Sequence, residues 1–441
     1  MGIRTSQLTE NTTLNALDLL YGVDVSDLTH SPDGTSKKIK LSTLISFLEA
    51  NIDSLNLDSF DPSAIITKAD RIRDNDNDTT LPTSGAVADA IDNGLLYGMH
   101  RQAIINGNFD IWQRGTSVAA VTTNTFDLAD RWKRWISADS GTLPTLTQSR
   151  QAVASGELEN SQYYYRVSPN GAGSSLGASS YHFIEQSIED GTKYLCGLGK
   201  KVTVSFWARS NILNKKIGIG LVQAYGNGGS TAEDLVGENF TLTSDWTKYI
   251  CTIDTNTLVG KTFGSTPANL SLGIYFMWGS GTYGTKVGST GVAETFVGSG
   301  NIDIAQIQLC AGEDALPFSP KLYTEELRNC QRYYYRISRG EQYEAFSPYC
   351  NARNTTTVDF MIITPIPMRI KPTFEYSSLA HLMVGDGSGA LVPSGVVAYS
   401  STRYASNLYQ SSFTVSGATQ FRNYYGVLNT AGSYIALNAE L

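Results

Sequence analysis

The stretch KKVTVSFWARS, residues 200–210, alternates without a break: Val202, Val204, Phe206 and Ala208 fall on one side, Thr203, Ser205, Trp207 and Arg209 on the other. A period of two puts successive side chains on opposite faces of a strand, so one face of this strand belongs to a core. TKYICTIDT (247–255) repeats the pattern with Tyr249, Cys251 and Ile253. NLSLGIYFMW (269–278) places Leu270, Leu272, Ile274, Phe276 and Trp278 on one face. Between such runs lie GNGGST (226–231), GSGTYGTK (279–286) and VGSGN (297–301), which are turn sequences. Short strands at regular spacing, joined by glycine-rich turns, predict an antiparallel sandwich or jelly roll.

Composition points the same way. Charged residues make up 17% of the 441 residues, against roughly 25% in ordinary soluble domains. The 41 glycines and 24 tyrosines suit tight turns and pleated surfaces. A formal net charge of −8 argues against nucleic acid or an anionic membrane surface as a partner. DRWKRW (130–135) is the dense basic cluster, and its alternation predicts a solvated strand face. The five cysteines are odd in number and lack CxxC spacing, which speaks against a disulfide framework or a zinc site and for a reducing compartment. MGIRTSQLTE has no apolar core of the signal-peptide kind, and no apolar run reaches membrane-spanning length. The expectation is a soluble chain without membrane insertion.

Working outward from the sandwich, INGNFDIWQRGTS (105–117) marks its beginning. Asn106-Gly107-Asn108 reads as the first turn, and Phe109, Trp112 and Trp132 as core anchors. The sandwich is assigned to 104–325. Ahead of it, 1–70 reads as a small α+β unit: LNALDLLYGV, the turn SPDG, then KKIKLSTLISFLEAN, in which Ser42 caps a helix with Leu44, Ile45 and Leu48 on one face. Residues 71–103 read as a hinge and helix. Asp74, Asp76 and Asp78 alternate as in a calcium loop, but Thr79 and Gly85 stand where that loop needs Gly and Glu. Thr83 or Ser84 then caps a helix with Val87, Ala90, Ile91 and Leu95 in one stripe, a pattern compatible with self-association. Beyond the sandwich, 326–441 opens with TEELRNCQRYYYRIS (324–338), a short helix with Leu327 on its apolar side and then a strand. Pro365, Pro367 and Pro372 should keep VDFMIITPIPMRIKPTF (358–374) out of a central sheet position.

Enzyme signatures fail one by one. GDGSGA (385–390) has Asp386 where a nucleophile elbow needs glycine, so it reads as a turn. His30, His100, His182 and His381 show no ligand spacing, and IGIGLVQ lacks the third glycine of a dinucleotide loop. Glu185 and Glu189 could serve glycoside hydrolysis only if folding paired them. Sugar binding asks for aromatic faces and planar polar side chains. Trp207 points away from its strand's apolar face, and Gly218, Gly220 and Ala224 would leave room for a ligand beside a sheet. TRYASNLYQSSF (402–413) and QFRNYYG (420–426) concentrate Arg, Asn and Tyr, so Arg403, Tyr404, Tyr409 and Tyr424 are candidate recognition residues.

Taken with ADRW (129–132), VTVSFWARS (202–210), IAQIQLCAGEDALPFSP (304–320) and YTEELRNCQRYY (323–334), the stretch INGNFDIWQRGTS resembles a module of bacteriophage tail fibre and receptor-binding proteins. The module itself looks like a carbohydrate-binding jelly roll. LNALDLLYGVDV with GTSKKIKLSTLISFL is similar to the virion-attachment unit of such fibres, and MRIKPTF and YIALNAEL to their C-terminal domains. The resemblance implies a mainly β, homotrimeric, non-enzymatic fibre of the virion tail, assembled in the host cytoplasm. Its attachment unit would meet phage tail or baseplate proteins. Its jelly roll and β-rich tip would meet host surface polysaccharide or lipopolysaccharide. No cofactor is required, though the wider family implies a structural calcium on Asp110, where the family has Glu, and Asp303. A capsule-degrading tail hydrolase and a structural tail component without direct host binding remain the alternatives.

Overall fold

The computed structural model describes residues 98–441 apart from 339, 341–343, 398–403 and 406, together with three short stretches of backbone near the start. The helices expected after Ser42 and after Thr83 or Ser84, the Asp74–Asp78 hinge and Arg403 lie outside the described residues; Tyr404 is described in its backbone only. The chain divides into two units, Met1–Leu96 and Tyr97–Leu441. In the first, β3 (Thr35–Ile39) pairs in parallel with β1 (Thr9–Asn11) and antiparallel with β2 (Val23–Asp24).

The second unit is mainly β and begins with a sandwich of two antiparallel sheets. One runs β11 (Glu233–Leu235), β10 (Lys216–Gln223), β14 (Leu270–Trp278), β8 (Tyr181–Ile188), β5 (Lys133–Ser137), with β12 (Asn239–Thr241) also on β10. The other runs β13 (Thr247–Asp254), β9 (Lys201–Ser210), β16 (Ile302–Ala311), β7 (Tyr163–Ala172), β6 (Leu146–Ala152), β4 (Ser117–Val118), with β15 (Val297–Ser299) on β7. The alternation of β9 works as its sequence predicts: Val202, Val204, Phe206 and Ala208 enter the core between the sheets, where they meet Ile217, Ile219 and Leu221 of β10 and Leu270, Leu272, Ile274 and Phe276 of β14. Trp278 does not join them. A register shift between Tyr275 and Met277 adds a residue to β14, so Met277 turns into the core and Trp278 turns to the opposite face.

Phe109, Trp112 and Trp132 are buried core residues, clustered around Tyr165. Asn106 organises their turn from a left-handed backbone (φ 57°). Its side chain donates to the carbonyls of Ile111 (2.8 Å) and Asp130 (3.0 Å) and accepts from the Ile111 amide (3.0 Å). Gly107 is required because a Cβ there would strike the Ile307 carbonyl. The expectation for DRWKRW holds only for Lys133 and Trp135, which are half-buried on the outer face of β5; it is corrected for Asp130, Arg131 and Trp132, buried ahead of the strand, and for Arg134, which lies on the inward face of β5.

The C-terminal half carries its own core. A three-stranded sheet orders β17 (Tyr334–Ser338), β27 (Tyr434–Asn438) and β20 (Thr373–Tyr376). A larger sheet orders β22 (Ala390–Leu391), β21 (Leu382–Gly385), β26 (Asn423–Leu428), β18 (Glu344–Asn354), β19 (Thr357–Ile363), β25 (Leu408–Thr414) and β23 (Gly395–Val397), with β24 (Tyr404–Ala405) on β25. VDFMII is therefore a central strand after all, since β19 ends before Pro365 and the prolines fall in the connection that follows. The helices are short: α1 (Gly191–Leu195), α2 (Thr282–Lys286) and α3 (Tyr323–Gln331). On α3 it is Glu326 and Cys330 that are buried, with Leu327 half-buried. All five cysteines are buried and unpaired.

Candidate functional site

Register across the β5–β8–β14–β10 ladder aligns two transverse rows on the outer face of that sheet. Trp135 lies opposite Phe183, Phe183 opposite Tyr275, and Tyr275 opposite Gly218. Two residues along, Lys133 lies opposite Glu185, Glu185 opposite Gly273, and Gly273 opposite Gly220. The first row is aromatic and the second polar and small. Their side chains share a face because each strand alternates and the pairs are in register.

The aromatic row is packed in depth. Trp135 stacks on Phe183 (6.1 Å between centroids, 16°), Phe183 on Tyr275 (4.4 Å, 28°), and Tyr181 meets Tyr283 of α2 at 4.4 Å. Phe183 and Tyr275 are buried, while Trp135, Tyr181 and Tyr283 are half-buried and keep part of their rings open to solvent. Gly273 makes this stacking feasible, since a Cβ there would come within 2.8 Å of the Tyr275 ring.

Charge is placed beside the rings. The Lys133 ammonium sits 3.9 Å from the Trp135 ring centroid, a cation–π contact. The Trp135 indole N–H donates to Glu185 Oε1 at 3.3 Å. Burial raises the Glu185 carboxyl above its usual range, an effect opposed by that hydrogen bond and by Lys133 and Lys286. Lys286 pairs with Asp234 at 2.8 Å. Flat half-exposed rings beside a carboxylate acceptor and an ammonium donor can stack against an apolar ring face and bond its hydroxyls.

The expected room over Gly218 and Gly220 is filled by the chain itself. A Cβ on Gly218 would come within 2.7 Å of Val287, and one on Gly220 would meet the Lys286 carbonyl at 3.0 Å. The segment carrying α2 thus lies over this end of the sheet and leaves the Trp135 end open.

Of the residues singled out in the sequence, Glu185, Gly218 and Gly220 lie on these rows and the others fall elsewhere. Trp207 is half-buried on the outer face of the opposite sheet, packed with Leu158, Tyr164, Ala305 and Trp246. Tyr409 and Tyr424 are buried core residues and not loop residues, because β25 and β26 turn them inward; Tyr409 stacks on Phe374, and the Tyr424 hydroxyl accepts from the Thr419 amide at 3.0 Å. Glu189 is held by Arg332 (3.0 Å) and Tyr333 (2.9 Å) and is not paired with Glu185 for hydrolysis. Asp386 caps its own turn through the amides of Ser388 (2.9 Å) and Gly389 (3.0 Å).

Calcium on Asp110 and Asp303 does not fit. Asp303 accepts from Arg166 Nε (2.6 Å), Arg166 Nη2 (2.8 Å) and Arg209 Nε (2.9 Å), so a metal ion would face two guanidinium groups. Asp110 accepts from Asn108 (3.1 Å) and leaves its other oxygen buried without a partner. Among the described residues no group of three or more His, Cys, Asp or Glu is placed to hold a metal.

The two rows were missed because periodicity tells which residues share a strand face, and only cross-strand register tells which faces join. The available signal was K-x-W in DRWKRW, the two-residue spacing that places Lys133 and Trp135 on one strand face.

No family model and no curated protein matches the chain. Among solved structures, the chain is similar to a family 4 carbohydrate-binding module at 13% identity, covering 47% of this chain and 97% of that one with a TM-score of 0.26. The CBM22 xylan-binding domain of Paenibacillus barcinonensis Xyn10C is similar at 10% identity, 45% and 95% coverage and a TM-score of 0.23. An apo-form cyclase from Fischerella sp. is similar at 11% identity, 49% and 98% coverage and a TM-score of 0.26.

Proposed function

We propose that this chain is a non-enzymatic, glycan-binding recognition protein: a homotrimeric bacteriophage tail fibre or receptor-binding protein that works in the virion tail and attaches to host surface polysaccharide or lipopolysaccharide. The observation that carries the glycan reading is the aligned aromatic row with Trp135 at its open end, flanked by Glu185 and Lys133. The tail-fibre reading is supported by the sequence resemblance of 104 to about 335. A shallow face of this kind gives weak single contacts, which three chains and several fibres multiply by avidity.

Adsorption competition tests the reading. Purified full-length protein should block virions from binding host cells, and folded Trp135→Ala protein should need about tenfold more to do so, equivalent to ~1.4 kcal/mol. If Trp135→Ala blocks as well as the parent, the face is not the site. If neither blocks, the chain is a structural tail component. Point substitutions are preferable to shortening the chain near 339, because β17 pairs with β27 across the C-terminal half.

A further inference from the structure

The larger C-terminal sheet carries a cavity of about 380 Å³ on its outer face, whose lining includes Tyr349, Asn351, Asp359, Met361, Gln410 and Asn423. We propose that this cavity is a second saccharide site, on a different domain from the jelly-roll face and independent of it, which takes a neutral or amino sugar in preference to an acidic one.

The cavity exists because β18 is irregular. Its pairing with β26 shifts register between Ala345 and Ser347 and again between Ser347 and Cys350. Pro348, within the shift, brings no amide donor to the ladder. Buried Ser347 compensates by donating to the Met361 carbonyl at 2.7 Å, which pins the bulged strand to β19. Bulges re-aim side chains; here Cys350 and Tyr424 turn inward while Tyr349 stands exposed at the rim. The volume lies within the range of small-molecule sites, roughly 300–1,000 Å³.

The lining chemistry selects the ligand. Asn351 and Asn423 are cross-strand partners, and Asn351 Nδ2 donates to Asn423 Oδ1 at 3.1 Å. That one bond leaves an amide oxygen on Asn351 and an amide N–H on Asn423 with no partner among the described residues, side by side and facing solvent. A donor and an acceptor at that spacing match two adjacent hydroxyls of a pyranose, and the Gln410 amide adds both kinds from the far wall. Tyr349 and Met361 supply the apolar surfaces for a ring face. The acid in the cavity is Asp359, already engaged by Arg353 (2.7 Å) and Ser412 (2.7 Å). The pair brings no net positive charge, so a carboxylate-bearing sugar finds no free counter-ion and an ammonium is tolerated.

Isothermal titration with methyl glucoside, glucosamine and glucuronate on full-length protein tests this. On the Trp135→Ala background, in which the jelly-roll face is disabled, the first two sugars should still bind, and adding Asn351→Ala/Asn423→Ala should lose about tenfold, the effect of two hydrogen bonds. Both asparagines are exposed, so the pair can be removed without opening the core. Glucuronate should bind more weakly than glucosamine. The proposal is overturned if Trp135→Ala protein binds none of the three, if glucuronate binds best, or if the added asparagine substitutions leave its titration unchanged. Loss in Trp135→Ala alone would assign all binding to the jelly roll and would likewise overturn it.

Discussion

Asp110 shows what a carboxyl costs when the fold buries it half-satisfied. Burial, with Glu326 nearby, pushes its carboxyl up to about 6, and one oxygen has no partner. Because the folded value lies above the unfolded 3.8, the folded state binds the proton more tightly, and stability falls as pH rises from about 4 through about 6. Asp110→Asn removes that loss while keeping the shape. It should stabilise the protein above pH 6 by about 1–2 kcal/mol, the full two-unit value being discounted for partial exposure, and should flatten the stability–pH curve between 4 and 6. Denaturant titrations of both proteins across that window check it; an unchanged slope would refute the sign argued here. Trp135 belongs to the same scale with the opposite expectation. Its ring is half-open, so Trp135→Ala should cost little stability and about tenfold in glycan affinity at the jelly-roll face, which separates a binding role from a packing one.

At the scale of the element, the outer face of the β5–β8–β14–β10 sheet is built by glycines as much as by aromatics. Gly218→Val would drive a branched side chain into Val287 and Trp278, where even a Cβ would stand at 2.7 and 3.1 Å. Overpacking of this kind costs about 1–3 kcal/mol, and it should lift the α2 segment off the sheet. A lowered melting temperature with increased proteolysis near α2 is the expected outcome; cleavage elsewhere first would place the strain wrongly. What was legible follows from the same physics. Strand alternation in 200–210, 247–255 and 269–278 is local and was readable, as was the aromatic core around Phe109. The bulge that sends Trp278 outward was not, because one inserted residue leaves the pattern of small and large side chains intact. Nor was the inward turn of Tyr409 and Tyr424: a tyrosine among serines and asparagines looks like a recognition loop until strand partners fix its face. The candidate site stayed hidden for a related reason, since its rows join residues 133–135, 183–185 and 273–275 only through register.

On the scale of the whole second unit, the QRG and DRW motifs act as one device. Arg131 is buried, ion-paired with Glu440, bonded to the Ser187 carbonyl at 2.8 Å, and laid over the Tyr333 ring at 3.5 Å. Arg114 bridges Glu440 (3.1 Å) and Asp130 (3.8 Å) and covers the Tyr334 ring at 3.5 Å. Gln113 reaches the Tyr334 carbonyl at 2.7 Å. The jelly roll thereby grips the segment that enters the C-terminal sheet and Glu440, two residues beyond its last strand. Glu440→Ala would leave two buried guanidinium groups facing each other with Asp130 as their remaining acid, a loss of about 3–5 kcal/mol. Calorimetry should then show the melting point falling by roughly 10 °C, with the two halves unfolding in separate steps where the parent unfolds them together. Glu440→Gln keeps a hydrogen-bond acceptor and should fall between. A Glu440→Ala protein that melts within about 1 °C of the parent would mean that the apolar contacts and the stacking of the arginines over Tyr333 and Tyr334 hold the two halves without the acid.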